Sequence, residues 1–136
     1  MPYVYKPVDL LKNKPWVDGG NCVSLIKTFT PGITGKSTLE WREGARVVDS
    51  PTLERGTAIA TFVNGRYPRL GVGRGNHAAF FLWHVSDGIY VMDQFVTGNR
   101  REPLIGQRHI KKLGRNSDGT FKDPSNNADA FSVIEK

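Results

Sequence analysis

Cys22 is the one cysteine in a chain of 136 residues, and it stands in Gly20-Asn21-Cys22-Val23-Ser24-Leu25-Ile26-Lys27, where a glycine turn gives way to an amphipathic helix. Fifty-five residues on, His77 follows Gly73-Arg74-Gly75-Asn76 and opens an apolar strand. A thiol in the first turn of a helix meets unpaired backbone N–H groups and the positive end of the helix dipole, which favour the thiolate, the reactive form. An imidazole beside it can take the thiol proton, and a third polar group can fix the imidazole tautomer. Asp93, inside Ile89-Tyr90-Val91-Met92-Asp93-Gln94-Phe95-Val96, is the candidate for that third group, because a carboxylate in an apolar strand requires a hydrogen-bonding partner. Cys22, His77 and Asp93 together would make a thiolate nucleophile. The bland alternatives are a Cys22 buried as a small hydrophobe, and an Asp93 that bonds backbone or lies on an edge strand.

These side chains need elements to hold them. Residues 1–20 read as an extended arm broken by Pro2, Pro7 and Pro15, with one helical turn at Val8-Asp9-Leu10-Leu11-Lys12. Asn21 is a plausible N-cap for a helix running to about Phe29. Val23 and Ile26, with Leu25 and Phe29, supply its buried face, and Pro31-Gly32 end it. A second helix is predicted from Thr38 to Glu43, ending at Gly44; Ser37 and Glu40 fit a capping box, and Trp41 would bury its ring there.

Strands follow at Ala58–Val63, His77–His84, Ile89–Val96, around Arg108-His109-Ile110 within Leu104–Leu113, and at Ala130–Ile134. The order predicts an α+β domain spanning 1–136, with N-terminal helices packed on an antiparallel sheet of four to six strands, a compact papain-like outline. Ser86-Asp87-Gly88 is turn chemistry, so His77–His84 and Ile89–Val96 should form a hairpin. Residues 77 and 93 share parity and emerge on one face if they pair opposite each other, which needs a loop of several residues around Trp83 to Gly88. A tight turn at Asp87-Gly88 would instead displace Asp93 along the hairpin, and the sequence leaves both registers open. Gln94 points to the other face of a regular strand and reads as structural.

Composition bounds the rest. Hydrophobic residues at 38% and charged residues at 24% describe a soluble globular chain able to bury a core. A lone cysteine forms no internal disulfide, and no apolar run reaches the length of a membrane span. The first residues lack a basic start and an apolar signal core, so synthesis in the cytoplasm without a classical signal is expected, with any site of action outside reached by another export route. The net charge of +6 favours acidic partners: nucleic acid, anionic lipid, or a carboxylate-bearing wall polymer. The cations are scattered, however, over Arg66, Arg69, Arg74, Arg100, Arg101, Arg108, Lys111, Lys112 and Arg115, and read as a solvated surface. No clustered basic stripe or nucleic-acid motif accompanies them, so nucleic acid is not the expected partner.

Other residue patterns carry less. His84 lies near a turn on the parity opposite to His77, and His109 sits among Gln107, Arg108 and Lys111; both read as surface residues. Cys22, His77 and His84 or Asp93 lack any local ligand pair, so no metal and no cofactor is expected. The glycines of Gly71-Val72-Gly73-Arg74-Gly75 precede a strand rather than a helix, Gly35-Lys36-Ser37 lacks the rest of a phosphate loop, and Ser24 and Ser37 lack a nucleophile elbow.

Gly-Asn-Cys22 at a helix start, Gly-Asn-His77-Ala-Ala opening a strand and Val91-Met92-Asp93-Gln94 in the next strand resemble the papain-like amidases of the CHAP and NlpC superfamily. The chain is also similar to small proteobacterial relatives exported by type VI secretion. Two departures are visible: Asn76 separates the glycine from His77, and the third residue is Asp rather than Glu, Asn or His. The resemblance implies that Cys22 attacks a peptide carbonyl in bacterial peptidoglycan, that His77 moves the proton and that Asp93 orients His77. It also implies an oxyanion donor from the Cys22 backbone, with Asn21 or Tyr5 adding a side chain, and puts Asn76, Gln94 and Arg74 among the oxyanion or substrate-binding candidates. A monomer, a peptidoglycan peptide substrate, an inhibitory immunity protein and action in the periplasm or cell envelope are its further implications. The other class of function is a papain-like shell without catalysis that binds wall fragments or a partner protein.

Overall fold

The computed structural model describes residues 1–68, 75–94 and 103–136. Among them, one α-helix, α1 (Cys22–Phe29), packs on a six-stranded antiparallel sheet. The strands are β1 (Arg42–Arg46), β2 (Ala58–Thr61), β3 (Ala78–Val85), β4 (Gly88–Asp93), β5 (Gly106–Lys111) and β6 (Phe131–Glu135), in the order β1-β6-β2-β3-β4-β5. The expected α+β architecture is present, with six strands. Arg74 and the predicted strand end at Phe95-Val96 fall outside the described residues.

Alternation along the strands divides the core in two. Ala58, Ala60, Ala78, Phe80, Leu82 and Met92 face α1 and meet its Leu25 and Ile26. Ile59, Ala79, Phe81, Ile89, Val91, Ile110 and Phe131 form a second cluster on the opposite face. With both faces covered, β2 is buried at every position, which is why it reads as an unbroken apolar run rather than an alternating one.

Two expectations are corrected. The capping box predicted at Ser37 and Glu40 forms, but it caps only one 3₁₀ turn, Thr38–Glu40. The chain then becomes edge strand β1 against β6 where helix to Glu43 was expected. A six-residue polar helix is too short to hold itself, and ladder bonds to β6 win. Gly44 is required there, because a Cβ would lie 2.5 Å from Glu135 Cγ. Trp41 is buried as expected, between that turn and β1.

The second concerns the hairpin. β3 and β4 are joined through Ser86-Asp87, with Val85 opposite Gly88, so the tight-turn register is the one adopted. It carries a bulge: Val85↔Gly88, His84↔Ile89 and Trp83↔Tyr90 follow one register, while Phe81↔Val91 and Phe80↔Met92 follow another shifted by a residue. Without that extra residue Asp93 would oppose Phe80 and point toward α1. With it, Asp93 falls opposite Ala79, on the face His77 shares.

Candidate active site

The helix start is set by local chemistry. Gly19 and Gly20 take positive φ angles of 65° and 90°, turning the chain sharply before Asn21. Asn21 Oδ1 then accepts from the backbone N–H groups of Val23 and Ser24 at 2.9 and 3.1 Å, the predicted N-cap. The Cys22 N–H, at the first helical position, is not taken by that cap. Cys22 itself is half-buried.

His77 immediately precedes β3 and is held by its backbone. Its N–H donates to Thr61 Oγ1 at 3.0 Å, and its carbonyl accepts from Thr61 N–H at 3.0 Å. The ring is buried, edge-on to Phe131. Its Nε2 lies 2.9 Å from Asp93 Oδ2, which leaves Nδ1 for the interaction with Cys22 that shifts both groups. The diagonal offset between residues 77 and 93 is spanned by the length of the imidazole.

Charge completes the geometry. Burial alone would push the Cys22 thiol up. The hydrogen bond and charge of His77, the Ala78 backbone N–H and the Tyr67 hydroxyl outweigh it and hold the thiol below its ordinary value. Burial would depress His77, but the hydrogen bonds and charges of Asp93 and Cys22 push it up to about 9. Both shifts favour the thiolate–imidazolium pair over the neutral thiol and imidazole. Alkylation of Cys22 by iodoacetamide is expected to reach its plateau below the ordinary thiol range. In a His77→Ala variant the rise should move to higher pH, since the proton must then leave without an imidazolium to hold the anion. An unmoved profile would separate the two residues.

Two members of this site lie outside the candidates that the residue patterns single out. Tyr67, buried and edge-on to Trp41, places its hydroxyl 3.9 Å from Cys22 Sγ and accepts from Asn76 Nδ2 at 3.4 Å. Burial, and then the Cys22 charge, drive the phenol well above its ordinary range, so it stays an O–H donor. Arg108, read above as a surface cation, is mostly buried and its Nε donates to Asp93 Oδ2 at 2.9 Å. A trace was available in the sequence: on β5 Arg108 shares parity with the core residue Ile110.

The other candidates are placed as follows. Tyr5 stacks on Phe29 and Phe80, at the far end of α1 from Cys22, and is corrected from oxyanion candidate to core packing. Seven residues of helix, about 10 Å of axial rise, separate Phe29 from Cys22. Gln94 is fully buried on the α1 side, where its Oε1 accepts from Val17 N–H and its Nε2 donates to the Val17 and Asn21 carbonyls. It is spent on backbone and holds the turn that carries Cys22. The last two residues of the β4 segment thus position both halves of the pair: Asp93 fixes the imidazole and Gln94 fixes the thiol. Asn21 is exposed at the helix cap, and Asn76 touches Tyr67. His84 Nε2 donates to the Ser50 carbonyl at 2.9 Å, and His109 pairs with Asp87; both are half-buried rather than exposed. Among the described residues no group of three His, Cys, Asp or Glu is arranged for a metal ion.

A thiol at a helix start, facing an imidazole that a buried carboxylate holds at the sheet end, puts the chain among the papain-like cysteine hydrolases. Residues 11–134 match the family described as "Domesticated amidase effector 2", and the chain belongs to that family. It is 42% identical, over 99% of its length and 100% of the other, to a type VI secretion amidase effector 2 protein of Salmonella typhi. To a domesticated amidase effector 2 of Ixodes scapularis it is 32% identical, over 88% of its length and 73% of the other. A solved structure of type 6 secretion amidase effector 2 superposes with a TM-score of 0.85 at 41% identity, covering 99% of this chain and 95% of that one.

Proposed function

We propose that the chain is a cysteine amidase that hydrolyses amide bonds in the peptide stems of bacterial peptidoglycan, with Cys22 as nucleophile, His77 as proton carrier and Asp93 as its orienting carboxylate. The observation that carries this is the Cys22–His77–Asp93 relay in a chain that aligns end to end with a type VI secretion amidase effector.

The steps follow from the charges. The Cys22 thiolate attacks the amide carbon, and the oxyanion is received by the Cys22 N–H and the Tyr67 hydroxyl, both donors already in place. His77 gives its proton to the departing amine, the C–N bond breaks, and a thioester remains on Cys22. With the thiolate consumed, His77 loses one of the groups that held its proton and becomes a neutral base. It takes a proton from water, which attacks the thioester; the C–S bond breaks and the ion pair returns. Action in the periplasm, and restraint by an inhibitory partner protein in the producing cell, complete the proposal.

Digestion of purified peptidoglycan tests it. Mass spectrometry should find fragments with new amine and carboxyl ends after treatment with the wild-type protein, and none after treatment with Cys22→Ala. Sedimentation with peptidoglycan without any cleavage would instead favour a binding module.

A further inference from the structure

Asp93 presents an anomaly for a relay built on charge. Its side chain is fully buried, where an isolated carboxylate is costly. While His77 is an imidazolium, the two charges offset each other. After His77 has protonated the leaving amine, that balance is gone, and the buried carboxylate loses the imidazolium as a counter-charge for the whole of thioester hydrolysis. The carboxylate would then hold the next proton on the pair, and the base that water needs would be missing.

Arg108 is built into that gap. Its Nε donates to Asp93 Oδ2, the same oxygen that meets His77 Nε2. The rest of the guanidinium is anchored, Nη1 to Asn126 Oδ1 at 2.6 Å and Nη2 to the Ser125 carbonyl at 3.3 Å. Pro124, in the same 3₁₀ turn, lies beside Gly75, two residues before His77: a Cβ at Gly75 would be 3.4 Å from its ring. The titratable groups facing the pair are Cys22 from α1, Tyr67 from the segment after β2, and Arg108 from β5. Thr61 and Phe131 approach from β2 and β6 without charge, and Asp123 lies behind the anchor, bonded to Asn126 Nδ2. Among the described residues, Arg108 is thus a cation in direct contact with the carboxylate besides His77.

We propose that Arg108 is a positioning residue for the second half of the reaction: it supplies the positive charge that keeps Asp93 ionised once His77 has given up its proton, so that the neutral imidazole is free to take a proton from water. This rests on the amidase reading above. It assigns Arg108 to thioester hydrolysis and not to thiolate formation, which the Cys22–His77 pair accomplishes with Asp93 behind it.

Arg108→Gln and Arg108→Lys separate the two halves. In Arg108→Gln, alkylation of Cys22 by iodoacetamide near neutral pH should stay within about a few-fold of wild type, since the imidazolium persists. Turnover of purified peptidoglycan should fall about tenfold or more and recover as pH is raised by about one to two units, the effect of one removed neighbouring charge. Quenched intact-mass spectra should show a peptide thioester on Cys22 that wild type does not accumulate, and Arg108→Lys should restore neutral-pH turnover in large part. Alkylation and turnover falling together, without recovery at high pH, would reduce Arg108 to scaffolding. A readout without turnover decides the point even if wild type leaves peptidoglycan intact, the result that would sink the amidase reading. In protein carbamidomethylated at Cys22, where a neutral sulfur stands in for the thioester, nuclear magnetic resonance should show His77 titrating about one to two units higher in Arg108→Gln than in wild type. Identical titration overturns the proposal.

Discussion

Replacing Cys22 by serine is expected to remove amide hydrolysis nearly as completely as replacing it by alanine, on the order of 10⁴-fold or more. The reason is the way this nucleophile is made. His77 is held up to about 9 by Asp93 and by the Cys22 anion itself, so it rests as an acid rather than waiting as a base. A thiol yields its proton to such an imidazole before substrate arrives. An alcohol does not, and a serine would face an imidazolium with nothing to offer it. With Ser at position 22 His77 also loses the anion that raised it, which leaves more of the imidazole unprotonated and available as a base, but attack and deprotonation must then occur together. The loss of a preformed anion outweighs that gain, since positioned acid–base assistance is worth about 10²–10⁴-fold. Peptidoglycan digestion by the serine variant measures it directly. Activity within about a hundredfold of wild type would mean that His77 works as a general base on a neutral nucleophile.

How far the sequence discloses this site depends on the range of the interactions. Asn21 as a cap, the helix to Phe29 and the Ser37–Glu40 capping box are contacts within four residues, and local chemistry predicts them. The second helix fails because its fate is settled by β6, ninety residues away in the chain, whose Ser132 hydroxyl reaches the Glu43 carboxylate. The pairing of His77 with Asp93 has a sharper limit. Equal parity is necessary for a shared face only if the hairpin is regular, and Ser86-Asp87 gives a turn whose plain register would send Asp93 toward α1. One bulged residue near Trp83 corrects it, and apolar runs such as Phe80-Phe81-Leu82-Trp83 contain no mark of where a bulge falls.

Tyr5 and Tyr67 show the same limit from the other side. Both are tyrosines beside turns, and nothing local distinguishes them. Tyr5 is drawn to the far end of α1 by ring contacts with Phe29 and Phe80, while the Asn64-Gly65 turn, with Asn64 at φ 53°, folds Tyr67 back to the sulfur. Gln94 is a case where strand parity alone sufficed: it lies on the face opposite Asp93 and serves backbone, as a structural residue should.

Asp93→Asn is expected to lower turnover on the order of 10³-fold while leaving every heavy atom of the relay in place. The asparagine oxygen can occupy the position of Oδ2 and accept from both His77 and Arg108, so the substitution removes charge and little else. Among the described residues, the charges that the relay favours cancel: the thiolate, the imidazolium, the Asp93 carboxylate and the Arg108 guanidinium. Asparagine leaves one positive charge in excess, and the least costly relief is for His77 to shed its proton. Cys22 then returns to a thiol, so iodoacetamide alkylation near neutral pH should fall along with turnover, in contrast to Arg108→Gln. Stability should fall too, because a buried guanidinium loses its counter-charge. Broken buried pairs cost about 3–5 kcal/mol, and the 19% exposure of the Arg108 side chain, with its bonds to Asn126 and Ser125, places this one at the low end. Denaturant midpoints at neutral pH give that number. Combining Asp93→Asn with Arg108→Gln restores neutrality, so the double replacement should cost less in stability than the sum of the two singles. Strict additivity would show that Arg108 and Asp93 do not act on each other, whatever their distance.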